Sequence, residues 1–183
     1  MYAHEGGFAV FDSLQKSIKD GSRNIDISLS FRPIVDEGTL LALLTNSNPE
    51  SARLTIEVKQ NKVLVTVIHT ASDLEIRDAI PALRPLCDGA WHTLHLSIGD
   101  KIMQITVDDE RNELPVDLLS SDARDLFLNL PVNVAGVSAP VAEKLSMTSL
   151  MGCYRELRFA GHAKYFENAL KQNKVAVDAC PFQ

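Results

Sequence analysis

The sequence predicts an all-β protein, a sandwich of two sheets with one short helix near the C-terminus. Three observations lead there. Apolar and polar residues alternate in short stretches, as in Ile25, Ile27, Leu29 and Phe31 against Asp26, Ser28 and Ser30, which is the period of a strand with one face buried. Turn residues punctuate these stretches at regular spacing. Only Ala163 to Gln172 reads as a full helix, with Phe166, Ala169 and Leu170 at helical spacing. Many short strands with so little helix make a sandwich.

The elements follow in order. Gly7 to Phe11 is a short apolar strand, and Asp20-Gly21 is a turn. The Ile25–Phe31 strand stops at Pro33, which lacks the ladder N–H. Gly38 to Thr45 is almost continuously apolar, so it is covered on both faces. Asn46 to Ser51 is a loop. Leu54, Ile56 and Val58, then Val63, Val65 and Val67, alternate on either side of Gln60-Asn61 and form a hairpin. Ala71 to Leu86 is less regular, with Pro81 and Pro85.

Leu86 to Val107 organises the chain. Asp88-Gly89 is a turn, because Gly takes the positive φ that a tight turn needs. His92, Leu94, Leu96 and Ile98 then alternate, Gly99-Asp100 suits a two-residue hairpin turn, and Ile102 to Val107 returns. Trp91, the one tryptophan, is expected to anchor the core between the sheets, because it buries so much area. Val116 to Asp125 forms a helical turn, and Leu126 to Val134 a strand. Val137 to Thr148 is a long polar loop, and Leu150 to Phe159 a strand that Gly161 ends.

The 183 residues fit one domain, taken as 1–183, large enough to bury a core without staples. The net charge of −6 disfavours nucleic acid, heparin-like polyanions and anionic membranes, which need a basic footprint. No apolar run is long enough to insert in a bilayer. The first residues lack the apolar core of a signal peptide, so a secreted form takes its signal from outside this stretch. Cys87, Cys153 and Cys180 are odd in number. Cys153–Cys180 in oxidising surroundings would tie down the C-terminus; three reduced thiols are the other reading.

The catalytic constellations are missing. There is no Cys-x-x-Cys pair, Gly-x-Ser-x-Gly, phosphate loop or dinucleotide fingerprint. His92 and His95 point to opposite faces of a strand and cannot share a metal. Asp73, Glu75 and Asp78 could pair as glycosidase carboxylates, about 5 Å apart in retaining enzymes. A sugar cleft also wants aromatic platforms, however, and aromatics are 6% of the chain. A solvated strand is the simpler reading of that stretch, as a solvated face is for Lys171 and Lys174.

Three motifs together resemble a known family. They are Asp88-Gly89-Ala90-Trp91-His92, then Gly152-Cys153-Tyr154-Arg155-Glu156-Leu157, then the closing Cys180-Pro181. In this order and at this separation they resemble the laminin G-like module. The resemblance spans essentially the whole chain. It implies a jelly-roll sandwich of about fourteen strands, a Cys153–Cys180 bridge and life outside the cell. Gly38 to Leu44, Ser138-Ala139-Pro140-Val141 and Phe166 to Leu170 are similar to the C-terminal module of the protein S, growth-arrest-specific ligand and sex-hormone-binding globulin branch. Laminin α-chain modules are nearly as close.

Many such modules carry a rim calcium site that uses an Asp at the position falling here near Ser51-Ala52. Neither residue supplies the carboxylate that calcium wants, so no cofactor is expected and no metal ligand is named. The resemblance implies a secreted, non-enzymatic binding module within a larger multidomain protein. Its partner would be a cell-surface receptor or extracellular matrix protein. A carrier of a small steroid-like lipophile between the sheets and a carbohydrate-binding lectin are the alternatives. Rim loops carry recognition in such folds, here Asn46–Ser51, Arg111–Asp125 and Val137–Thr148. Val137, Pro140, Val141 and Leu145 could form a modest apolar patch for a partner; their other role is to cover the core edge.

Overall fold

Thirteen strands form among the residues described by the computed structural model, which are 1–18, 21, 23–116, 121–177 and 180. Asp20 of the expected Asp20-Gly21 turn, part of Val116–Asp125 and all but Cys180 of the closing 178–181 segment lie outside them. The strands are β1 (Tyr2–Phe11), β2 (Ile25–Pro33), β3 (Glu37–Leu44), β4 (Ala52–Lys59), β5 (Lys62–His69), β6 (Leu74–Pro81) and β7 (His92–Ile98). They continue as β8 (Ile102–Val107), β9 (Glu110–Pro115), β10 (Val132–Val134), β11 (Gly152–Phe159), β12 (His162–Ala163) and β13 (Lys171–Ala176). Two helices interrupt them, α1 (Ser121–Asn129) and α2 (Ala139–Leu145).

The hydrogen-bonded path runs β6-β5-β4-β3-β10-β1-β11-β2-β7-β8-β9, with β12 on β11 and β13 on β1. β1 serves both layers. Its first residues pair with β11, Tyr2 opposite Cys153, and its last with β10, Ala9 opposite Val134. Its register against β13 breaks between Ala3 and Phe8. A break of this kind bends a strand from one sheet into the next. The result is the all-β jelly-roll sandwich that the sequence predicts.

The core lies between the layers. Ile25, Ile27, Leu29 and Phe31 on β2 and Leu94, Leu96 and Ile98 on β7 are at most 2% exposed. Leu54, Ile56 and Val58 on β4 and Val63, Val65 and Val67 on β5 face them in the same cluster. Each such side chain contributes about 1.5–3 kcal/mol on burial, so a slip of one residue in any strand would be prohibitive. The β4–β5 hairpin turns at Gln60 and Asn61, whose φ of 48° and 62° match a tight hairpin turn. β3 is buried on both faces as expected. Its second face, Ala42 and Leu44, packs on Val137, Val141 and Met147 in a small separate cluster.

Five local expectations are corrected. Ala163–Gln172 is no helix: a single 3-10 turn at Phe166–Asn168 leads straight into β13. Phe166 is buried but Leu170 is 65% exposed, so the two do not share a buried stripe. Leu126–Val134 is not one strand, because α1 runs to Asn129 with Ala123, Phe127 and Leu128 buried at helical spacing. Val137–Thr148 is not a loop but contains α2. The β7–β8 hairpin has a two-residue turn, but on Asp100-Lys101 rather than Gly99-Asp100: Ile98 stands opposite Met103, and Gly99 N–H donates to Ile102 O at 3.0 Å. Trp91 is only half-buried and outside the core; the neighbouring His92 is the one fully inside, at 0% exposed.

Candidate functional site

α2 begins after Ser138 with Pro140 in its first turn, where the missing N–H costs nothing. It ends at Ser146, in the left-handed conformation with φ 54°. Met147 to Met151 then runs along the rim of the sandwich, and each residue is tied to a different element. Met147 N–H donates to Ala142 O at 2.9 Å, and Thr39 N–H to Thr148 O at 2.7 Å. Gly6 N–H donates to Ser149 Oγ at 2.7 Å. Leu150 N–H donates to Ala135 O at 2.8 Å, and Ile34 N–H to Met151 O at 3.0 Å. The buried Tyr154 hydroxyl donates to Leu150 O, and burial pushes that phenol well above its ordinary pKa. Gly38 permits this closeness: a Cβ there would lie 2.6 Å from Leu150 Cα.

Beside this segment opens a rim groove of about 880 Å³. Its apolar lining is Val35, Val137, Ala142, Met147 and Met151; its polar lining includes Glu5, Asp36, Glu37, Asn173 and Lys174. Glu5, Asp36 and Glu37 are exposed and make no ion pair among the described residues. Of the residues expected to form an apolar patch, Val137 and Val141 are 6% and 1% exposed, in the small cluster against β3. Pro140 is exposed and Leu145 half-buried on the outer side of α2. Val137 alone of the four also lines the groove. Sequence reading missed Asp36, Glu37 and Met151, and took in Met147 only as part of the Val137–Thr148 stretch. A signal for α2 was present, since Ser138 with Pro140 is a helix start and Val137 and Val141 have helical spacing.

The other singled-out residues have structural partners. His92 Nδ1 lies 2.8 Å from Asp108 Oδ2, and Nε2 lies 3.2 Å from Asp88 Oδ1. Asp88 also accepts the Ala90 N–H at 2.7 Å, and this bond, then His92, holds its carboxyl below the usual range. Burial works against the Asp108 charge, but His92, the Thr93 N–H and Arg84 outweigh it and lower its pKa. His95 faces outward to Asp26 at 2.9 Å. The Trp91 ring carries two guanidinium groups, Arg155 at 4.1 Å and Arg32 at 5.1 Å from its centroid. Arg32 also reaches Cys180 Sγ at 2.7 Å, and Cys180 is bonded to Cys153.

Asp73, Glu75 and Asp78 do not converge. Asp73 caps a 3-10 turn with φ 50°, Glu75 pairs with Arg77, and Asp78 accepts the Ala79 N–H. At the rim position of Ser51, the nearby Glu50 pairs with Lys144 at 3.1 Å. Cys87 is exposed and is the free cysteine.

With this geometry in hand, the relatives can be compared. A model of the laminin G domain family matches residues 31–162. Laminin subunit alpha-1 of Mus musculus is 30% identical over an alignment 163 positions long that covers 86% of this chain and 5% of that one. Laminin subunit alpha-1 of Homo sapiens is 26% identical over an alignment 188 positions long that covers 98% of this chain and 6% of that one. The chain thus spans a small fraction of the length of these relatives. Among solved structures, domains LG4-5 of the mouse laminin alpha1 chain superpose with a TM-score of 0.73 at 22% identity, covering 98% of this chain and 46% of that one. The Ruminococcus gnavus IT-sialidase CBM40 bound to alpha2,3 sialyllactose superposes with a TM-score of 0.60 at 14% identity, covering 92% and 93%. The sequence relatives are laminin α chains, one of the two branches that the motifs resemble.

Proposed function

The chain belongs to the laminin G domain family, whose members are binding modules, and from that premise we propose that it binds a cell-surface receptor or extracellular matrix protein through the rim groove beside α2. The observation that supports this is the groove itself: an apolar lining accompanied by three carboxylates that make no ion pair among the described residues. An apolar centre with a polar rim is the anatomy of a protein interface. The module works outside the cell, as part of a longer secreted protein, and without catalysis.

The alternatives have less support. A lipophile between the sheets would have to displace Phe31, Leu29, Leu94 and Leu96, which already fill that space. A sugar cleft wants several aromatic platforms, and the Trp91 ring is covered by Arg155 and Arg32, which leaves Tyr165, 64% exposed, as the open aromatic among the described residues. The sialidase module shares only the fold at 14% identity.

The experiment is capture of surface-labelled cell proteins and matrix extract on the immobilised domain. The Asp36→Lys/Glu37→Lys double variant, exposed and outside the core, should lose the captured proteins while keeping its melting temperature. Equal capture by both would overturn the groove as the binding surface.

A further inference from the structure

We infer that the occupant of the groove is an extended protein segment that presents a lysine or arginine side chain between apolar neighbours. This rests on the reading of the groove as the binding surface. Three carboxylates, Glu5, Asp36 and Glu37, face Lys174 as the one cationic group of the lining. None of the three carboxylates is neutralised by an ion pair among the described residues. Glu37 even stands opposite Lys59 in the β3–β4 register without pairing to it. Three carboxylates against one ammonium leave the lining with excess negative charge beside its apolar residues.

Lysine and arginine match both features at once. Their stems are apolar and lie on apolar surface, while the charged head reaches toward the polar edge. The stem would lie on Met151 and the small part of Met147, 8% exposed, that the groove leaves open, and the head would meet Asp36 in the β2–β3 turn and Glu37 at the start of β3. Methionine is a fitting floor, because its flexible thioether adapts to different apolar shapes. An acidic segment would be repelled, and a purely apolar one would leave the carboxylates unpaired. Complementary charge of this kind selects the partner and its register more than it adds raw affinity.

The chain has four methionines, so methyl-labelled methionine gives a compact NMR readout. The probes are the peptides acetyl-Ala-Leu-Arg-Leu-Ala-amide, its Arg-to-Glu counterpart, and an Arg peptide with serines in place of the leucines. The first should shift the Met147 and Met151 methyls and leave Met103, which is 0% exposed, unmoved. Asp36→Asn/Glu37→Gln should weaken that binding about tenfold, the loss expected for two partly screened charge contacts. The Glu and serine peptides should bind more weakly still. Equal response to the Glu peptide, no change in the double variant, or no response to millimolar Arg peptide would overturn the inference. If the peptides fail while cell-surface capture still depends on Asp36 and Glu37, the groove stands as the binding surface and only the chemistry of its occupant is wrong.

Discussion

Asp108 holds His92 from the far end of the β7–β8 hairpin: one carboxylate oxygen lies 2.8 Å from Nδ1 of the imidazole, and the other accepts the Thr93 N–H at 2.9 Å. His92 is 0% exposed, so its ring has no water to turn to. The Asp-Gly-x-Trp-His motif is thus a joint that ties the turn before β7 to the end of β8.

That joint makes stability depend on pH with a definite sign. The folded pKa values of Asp88 and Asp108 are depressed. Their contribution is therefore present above the unfolded carboxylate value of about 4 and lost as pH falls through the lower folded values. Urea midpoints should drop on the acid side and do so less steeply in Asp108→Asn. At neutral pH that variant should lose about 1–3 kcal/mol, the usual cost of removing a partner from a buried polar group. An unchanged acid limb would show that the carboxylates do not matter in this way.

The bridge gives a second test. Cys153 and Cys180 are 27 residues apart, and closing such a loop contributes about 3 kcal/mol. The Cys153→Ala/Cys180→Ala variant should lose about that much. Cys87 should alkylate without prior reduction, but slowly near neutral pH. Desolvation, with Asp36 and Asp88 nearby, raises its pKa and keeps it as the thiol. The rate should climb as pH rises through that value. Peptide mapping that paired Cys87 with either partner would refute both points.

Gly38→Ala probes the packing beneath the groove. The added Cβ would lie 2.6 Å from Leu150 Cα and N and from Ser149 O, all backbone. Overpacking of this kind costs about 1–3 kcal/mol. The variant should melt lower and loosen the Met147–Met151 segment, seen as faster amide exchange at Thr39 and Leu150. Wild-type exchange there would contradict the close packing.

Calcium should do little. Ser51 and Ala52 bring no carboxylate to the rim, and Glu50 is engaged by Lys144. A ligand that binds only the folded state raises its melting temperature, so millimolar calcium should give no rise over magnesium. A calcium-specific rise would place a site that these residues do not suggest.

Strands with one clean apolar face were legible from the chain: β2, β4, β5 and β7 all follow their alternation. β9 was not, because Glu-Arg-Asn-Glu-Leu-Pro lies at the end of the hydrogen-bonded path with no buried face to imprint a pattern. β13 misled for the opposite reason. Phe166, Ala169 and Leu170 have helical spacing, but the edge of β1 offers main-chain pairing from Tyr2 to Val10, and that tertiary gain outweighs local preference. Trp91 misled because size predicts burial, whereas here two arginines cover the ring at the surface. The groove was only partly legible. The stretch 137–148 drew notice as a partner surface, yet Asp36, Glu37 and Glu5 reach the same rim from distant positions, which no local pattern reveals.

The groove beside α2 is the proposed seat of a protein partner. Hydroxyl-radical footprinting of the domain, alone and in complex with the protein captured from the cell surface or matrix, tests it most directly. Protection is expected at Val35, Met147 and Met151, with no change at Tyr165 and Leu170, which are 64% and 65% exposed away from the groove lining. Protection of Tyr165 and Leu170 with the groove residues unchanged would contradict it.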